Sequence, residues 1–280
     1  MQTWRLSDYT ATLEASRARV QTVFFLLVFY GLILNVLNHI SLYQIGPNPL
    51  LYPDLDPLYW LFLMGRVPDW LRGPAALFLD IFLTLSCCLS IFDQRKKTWP
   101  IVFLVLYYVY FVIYNLRTGH HYTNPAILFM GMAFVVNKPV RFAALLTLSR
   151  FVFCFMMFSA AIWKIIRGNL FDAGHARSIL IDQNLEILTA GQASWRDVII
   201  RQVLATQWLP QFFWVLLILL ELIFVLGFFT LRYDKYLLIA YILFFIGGWL
   251  LFDIYIYENL LFLLTLSPLV KLMNKTTFAR

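Results

Sequence analysis

The chain has 280 residues, 61% of them hydrophobic, 18% aromatic and only 13% charged, with a mean hydropathy of +0.75. A water-soluble domain carries about 45–50% apolar and about 25% charged residues, so the composition is wrong for a soluble globule and right for a polytopic helical membrane protein. The formal charge of +7 and pI near 9.3 read as lysine and arginine in cytoplasmic loops, with no nucleic-acid partner expected. Cys87, Cys88 and Cys154 lie inside apolar runs without metal-ligand or CxxC spacing, so neither a metal site nor a redox disulfide is expected.

In chain order, residues 1–20 contain Arg5, Asp8, Glu14, Arg17 and Arg19 and read as a retained cytosolic segment rather than a cleaved signal peptide. A first span is expected from about Val23 to Tyr43, with Asn35, Asn38 and His39 as interhelical hydrogen-bonding groups. Gly46 to Arg72, rich in proline, tyrosine and tryptophan, reads as an interfacial loop. Further apolar runs follow at Pro74–Phe92, Trp99–Leu116, Ala126–Val136 and Phe142–Ile166, with Ala126–Val136 barely long enough to cross alone. Arg167–Pro210 mixes polar and apolar residues at near-helical spacing, as extracytoplasmic helices lying on a membrane would. Gln211–Leu231 and Tyr236–Tyr257 flank the basic turn Arg232-Tyr233-Asp234-Lys235, and Asn259–Leu272 is either a short span or a re-entrant segment. The expectation is one all-α transmembrane domain over residues 1–280, with seven or eight spans and interfacial helices on the extracytoplasmic side.

With a cytoplasmic N-terminus, alternation puts Arg95-Lys96-Lys97, Lys138 with Arg141, and Arg232 with Lys235 on the cytoplasmic side, as positive-inside asymmetry requires. The expected location is a bacterial inner membrane. His120, His121, Lys164 and residues 167–210 then share the opposite face, where a pocket built from the third, fifth and last spans is expected. An amine where an apolar helix meets a polar segment lies where burial favours a neutral, basic form; the alternative is a lysine snorkelling to the interface. Asp80, Arg150, Glu221, Asp253 and Glu258 lie in or near apolar runs. A charge there costs at least about 2.5–3.5 kcal/mol, so each should pair, be neutral or face a cavity. For Glu221 the open readings are a structural pair with Arg150 and a proton relay. Asp172 and His175 are open between surface positions and a lid.

The run Phe158-Ser159-Ala160-Ala161-Ile162-Trp163-Lys164, continuing to Asp172, resembles a segment of the vitamin K-dependent gamma-carboxylase-like family, also called the horizontally transferred transmembrane domain. His120-His121-Tyr122-Thr123-Asn124 and the closing Leu266-Ser267-Pro268-Leu269 resemble two further motifs of that family in the same order. Ala161 stands where the family has glycine, and Leu170-Phe171 where it has tryptophan. The resemblance implies Lys164 as base toward a vitamin K-like quinol used with oxygen and carbon dioxide. It further implies His120 or His121 as the group that stabilises a developing carbanion, and Trp163, Tyr122 and Asn124 as cofactor-binding residues. A secreted peptide or membrane partner would be the substrate. The competing expectations are a non-catalytic membrane subunit in secretion or peptide maturation, and a quinone-binding redox accessory.

Overall fold

The computed structural model describes residues 6–45, 71–94, 96–118, 126–168, 170, 172–189, 195–252 and 257–266. Among them every regular element is helical: α1 (Leu6–Leu37), α2 (Pro74–Phe92), α3 (Thr98–Thr118), α4 (Ala126–Val135), α5 (Pro139–Ile166), α6 (Ala173–Gln183), α7 (Leu185–Thr189), α8 (Trp195–Ala205), α9 (Leu209–Leu222), α10 (Leu226–Phe229), α11 (Asp234–Phe252) and α12 (Leu263–Leu266). Two 3-10 turns, Ile223–Val225 and Tyr257–Phe262, lead into α10 and α12. Among the described residues, five segments are long and apolar enough to cross a membrane: Ser16–Leu37, Pro74–Phe92, Pro139–Ile166, Leu209–Phe229 and Asp234–Phe252. Thr98–Tyr114, Ala126–Val135 and Tyr257–Leu266 are shorter apolar helices. Ten residues of α4 rise only about 15 Å, half the roughly 30 Å of a hydrocarbon core.

The chain divides into two compact units, Met1–Ser149 with Ile256–Arg280, and Arg150–Tyr255, and the division falls inside α5. In the first, α2 packs between α1 and α3, and α4 packs on α3 and on the Tyr257–Phe262 turn. The core is aromatic: Phe24, Phe25, Phe103, Phe134 and Phe142 are fully buried. Along α3 the rings of Phe103, Tyr107, Tyr110 and Tyr114 stack at successive centroid distances of 5.6, 5.9 and 5.1 Å. The buried Tyr107 hydroxyl donates to Glu258 Oε1 at 2.5 Å. Asn35 Nδ2 donates to the hydroxyls of Tyr110 and Tyr257 at 3.4 and 3.5 Å, as a polar group between apolar helices must. Asp80 accepts the Tyr43 backbone N–H at 3.0 Å, and Arg117 donates to the carbonyls of Leu42 and Leu71, so both charges hold the turn after α1.

The first helix departs from the expected Val23–Tyr43. It starts at Leu6 and stops at Leu37, because His39 enters the left-handed region at φ 58°. Ile40 N–H then bonds Asn35 O and His39 N–H bonds Val36 O, the paired closure that ends many helices. Farther up α1, Gly31 allows a close approach: a β-carbon there would clash with the Cε2 edge of the Tyr257 ring. Gly31→Val is therefore expected to cost about 1–3 kcal/mol of overpacking in thermal unfolding. A Tyr257→Leu background should remove most of that penalty; an equal penalty in both backgrounds would refute the contact as its cause.

The second unit is built on α9 and α11, which pack on each other, with α6 laid against both. Its core gathers Ala161, Ala176, Leu180, Trp214, Leu217, Ile218, Leu251 and Phe252. The expected interfacial segment is a set of three helices tied down at the end of α11. Asn184 Nδ2 donates to Leu251 O at 2.6 Å, Arg196 Nε to Leu250 O at 3.1 Å, and Arg196 Nη2 to Asn184 Oδ1 at 2.9 Å. Trp195 and Trp208 at its margins stay exposed.

Candidate functional site

Lys164 lies in the last turn of α5. The helix ends two residues later because Gly168 takes φ 77° and its N–H bonds Ile165 O, a conformation that favours glycine. The Lys164 side chain is 24% exposed and turns toward α9, where Nζ donates to both carboxylate oxygens of Glu221, at 2.6 and 2.7 Å. The Glu221 side chain is 3% exposed. The amine also lies 5.4 Å from the centroid of the Trp214 ring and 5.9 Å from that of Phe244, close enough for cation–π attraction.

Residues of α9 reach this point through helical spacing. Pro210 starts the helix without a lost hydrogen bond, and Leu and Ile fill half of its 14 positions. Trp214, Leu217, Ile218 and Glu221 share its buried stripe, 214 to 221 being two turns. Directly after Glu221 the backbone tightens into the Ile223–Val225 turn before α10 resumes. The carboxylate thus stands just before a backbone irregularity in the largely apolar segment Leu209–Phe229.

His175 enters from α6. Asp172 is the N-cap of that helix, accepting the backbone N–H of Gly174 at 2.9 Å and of His175 at 3.2 Å, which fixes where the imidazole starts. The His175 ring meets Trp214 edge-on, with centroids 6.0 Å apart, and Phe252 packs on Trp214 at 5.3 Å. Gln211 Nε2 donates to Leu170 O. Three buried polar atoms in this group have no hydrogen-bonding partner among the described residues: His175 Nε2, Trp214 Nε1 and Gln211 Oε1. Replacing Asp172 by alanine is expected to cost about 1 kcal/mol and to speed amide hydrogen exchange at Gly174 and His175; unchanged exchange there would show that α6 does not depend on the cap.

Lys164 therefore pairs with Glu221, and Trp214 lies beside both the Lys164 amine and the His175 imidazole. Asp172 acts through the backbone of α6. Trp163 is 55% exposed and carries the Arg167 guanidinium 4.3 Å over its ring, about a quarter-turn of helix away from Lys164. His120, His121, Tyr122, Asn124 and Asp253 lie outside the described residues. The pocket was expected from the third, fifth and last apolar runs; the groups found at Lys164 come from α9 and α11.

Nor does Glu221 pair with Arg150. Arg150, 1% exposed at its side chain, donates to Asp234 Oδ1 at 2.6 Å, Gly227 O at 2.5 Å and Thr230 O at 3.0 Å, and so fastens α5 to the turn between α10 and α11. Sequence reasoning missed Asp234 because it sits in a basic turn that reads as solvated. It also passed over Gln211 and Trp214, although 211, 214, 218 and 221 follow helical spacing and place three polar-capable side chains on one apolar stripe. Compared with family models, curated proteins and solved structures, the chain matches none.

Proposed function

We propose that this chain is a polytopic integral membrane enzyme, N-terminus cytoplasmic, that uses Lys164 as a base toward a quinol-type lipophile and modifies a peptide or small substrate at the extracytoplasmic face. Five long apolar helices and three shorter ones support the membrane setting, with the shorter ones completing the spans or re-entering. The observation that carries the chemistry is the Lys164–Glu221 pair, held by two short hydrogen bonds against aromatic rings. As an ion pair it leaves the amine protonated and unable to act as a base. Transfer of one proton from Nζ to a Glu221 oxygen along a 2.6 Å hydrogen bond exchanges two charges for a neutral amine and a neutral acid. Lys164 Nζ can then accept a hydroxyl proton, and Glu221 takes part as the group that readies it.

The surroundings of the amine are aromatic, in keeping with a lipophilic ligand: Trp214 and Phe244 lie beside it, and Phe252 packs on Trp214. Bound there, a quinol would supply the electrons that, with oxygen and carbon dioxide, carboxylase-like chemistry uses. The same bidentate pair favours a second reading, a non-catalytic membrane subunit in which Lys164 and Glu221 only pin α5 to α9.

Amine-selective acylation separates the two. In nanodiscs under anaerobic conditions, a short-chain quinol should slow acylation of Lys164 and leave that of Lys96, whose side chain is 72% exposed, unchanged. No protection of Lys164 by quinol would sink the enzymatic reading. Release of the chain from membranes by alkaline carbonate without detergent would sink the membrane setting itself.

A further inference from the structure

We propose that the end of the first unit where Arg17, Lys97 and the turn at residues 137–141 converge binds the phosphate headgroup of an anionic phospholipid. The inference rests on the membrane setting proposed above and is independent of the chemistry at Lys164. Arg17 of α1 is fixed against the turn between α4 and α5. Its Nη2 donates to Phe134 O at 2.8 Å and its Nη1 to Asn137 O at 3.5 Å, and the guanidinium lies 5.5 Å from the centroid of the Phe142 ring. Lys138 and Arg141, both exposed, adjoin those contact points in the chain. One turn after Arg17, Gln21 Nε2 donates to Ser90 O at 3.0 Å, and Gln94 Nε2 donates to Thr22 Oγ1 at 2.5 Å, which brings the turn between α2 and α3 to the same end. Lys97 in that turn is half-buried and lies near enough to Arg17 for their like charges to repel. Partial burial, and then that repulsion, hold its amine below the usual range.

Residues 14–19, 93–97 and 137–141 together hold seven lysines and arginines against two acids, Glu14 and Asp93. Asp93 is engaged by Lys96 at 3.4 Å. Folding thus sets a second cation beside a fixed arginine, an arrangement that costs stability until an anion lies between the two. Arg17 contributes a charge held in place by backbone carbonyls, while Lys97, Lys138 and Arg141 have flexible stems that can close on a phosphate. Apolar surface begins beside the cluster and marks the anion as the head of an amphiphile. Phe92 at the end of α2, Ile101 in the first turn of α3 and Val140 in the first turn of α5 are 84, 43 and 55% exposed. A phospholipid places its phosphate against the cations and its acyl chains along these residues, whereas a free phosphate uses the cations alone. Anionic phospholipids of the cytoplasmic leaflet are attracted to basic groups at helix ends in this way.

The test is thermal unfolding of the full chain in phosphatidylcholine nanodiscs, alone, with added phosphatidylglycerol, and with inorganic phosphate as the free anion. Phosphatidylglycerol should raise the midpoint, and Lys97→Gln should increase the amount needed for half of that rise about fivefold, the worth of one cation near a lipid surface. In phosphatidylcholine alone the same variant should unfold at or above the wild-type temperature, because it relieves the repulsion at Arg17. A lysine with a purely structural role would instead lower the midpoint in both lipids. Lys138→Gln with Arg141→Gln, at exposed positions, should weaken the phosphatidylglycerol response and leave unfolding in phosphatidylcholine unchanged. Lys235→Gln, which removes one cation from the second unit, should leave the response intact. An equal loss for Lys235→Gln would overturn the site in favour of general charge attraction, and an unchanged response in the Lys97 and Lys138/Arg141 variants would overturn it as well. Inorganic phosphate producing the same rise would overturn a lipid as the occupant. Failure of the chain to enter phosphatidylcholine nanodiscs would sink the membrane setting, whereas entry without any phosphatidylglycerol effect sinks this site alone.

Discussion

Arg150→Met is expected to lower the unfolding free energy by about 3–5 kcal/mol, the range for removing one partner from a buried ion pair. The guanidinium serves three acceptors at once: Asp234 Oδ1, Gly227 O and Thr230 O. Methionine fills a similar volume but leaves two buried carbonyls without that donor and a carboxylate without that cation. Asp234→Asn should cost less, because the amide oxygen can still accept from Nη2. The ordering is checked by thermal unfolding in detergent micelles; a smaller loss for Arg150→Met than for Asp234→Asn would mean that the backbone carbonyls contribute little. Restoring a hydrophobic pair in Arg150→Met/Asp234→Leu should recover part of the loss, as replacement of whole buried ion pairs often does.

The second large effect is an asymmetry at the candidate site. Lys164→Met strands a carboxylate whose side chain is 3% exposed, whereas Glu221→Leu strands an amine that is 24% exposed and can reach solvent by its flexible stem. The first change is expected to cost about 3–5 kcal/mol and the second about 2 kcal/mol, with the double variant closer to wild type than Lys164→Met alone. Equal costs would show that Lys164 is as desolvated as Glu221. Quinol protection of the remaining lysine in Glu221→Leu would separate a ligand-facing amine from a mere pin, since the pin has no partner left in that variant.

The apolar runs were legible because helix-forming stretches near 20 residues advertise themselves by composition, and α2 occupies the expected Pro74–Phe92. Helix ends were less so: α1 stops where His39 takes a left-handed conformation, a choice available to few side chains and not dictated by local pattern. Lys164 and Glu221 each stood out in the sequence, yet their pairing did not. Glu221 lies 57 residues away, and only the docking of α5 against α9 decides between it and other carboxylates. The same reason hid Asp234 from Arg150. Asp172 and His175 were visible as a pair of polar residues before a helix, and the capping of α6 by Asp172 could have been drawn from the Asp-Ala-Gly-His start.

The Arg150 clamp also bears on how the chain is made. Asp234 follows Arg150 by 84 residues, so at about 5–20 residues per second the arginine waits roughly 4–17 s for that carboxylate to be synthesised. Throughout that interval the arginine lacks the buried counter-charge it has in the finished chain. Biogenesis then acquires a fixed order: α5 completes its docking only after the ribosome has passed the turn between α10 and α11, and a nascent chain stalled before Asp234 is the form most exposed to quality-control proteolysis.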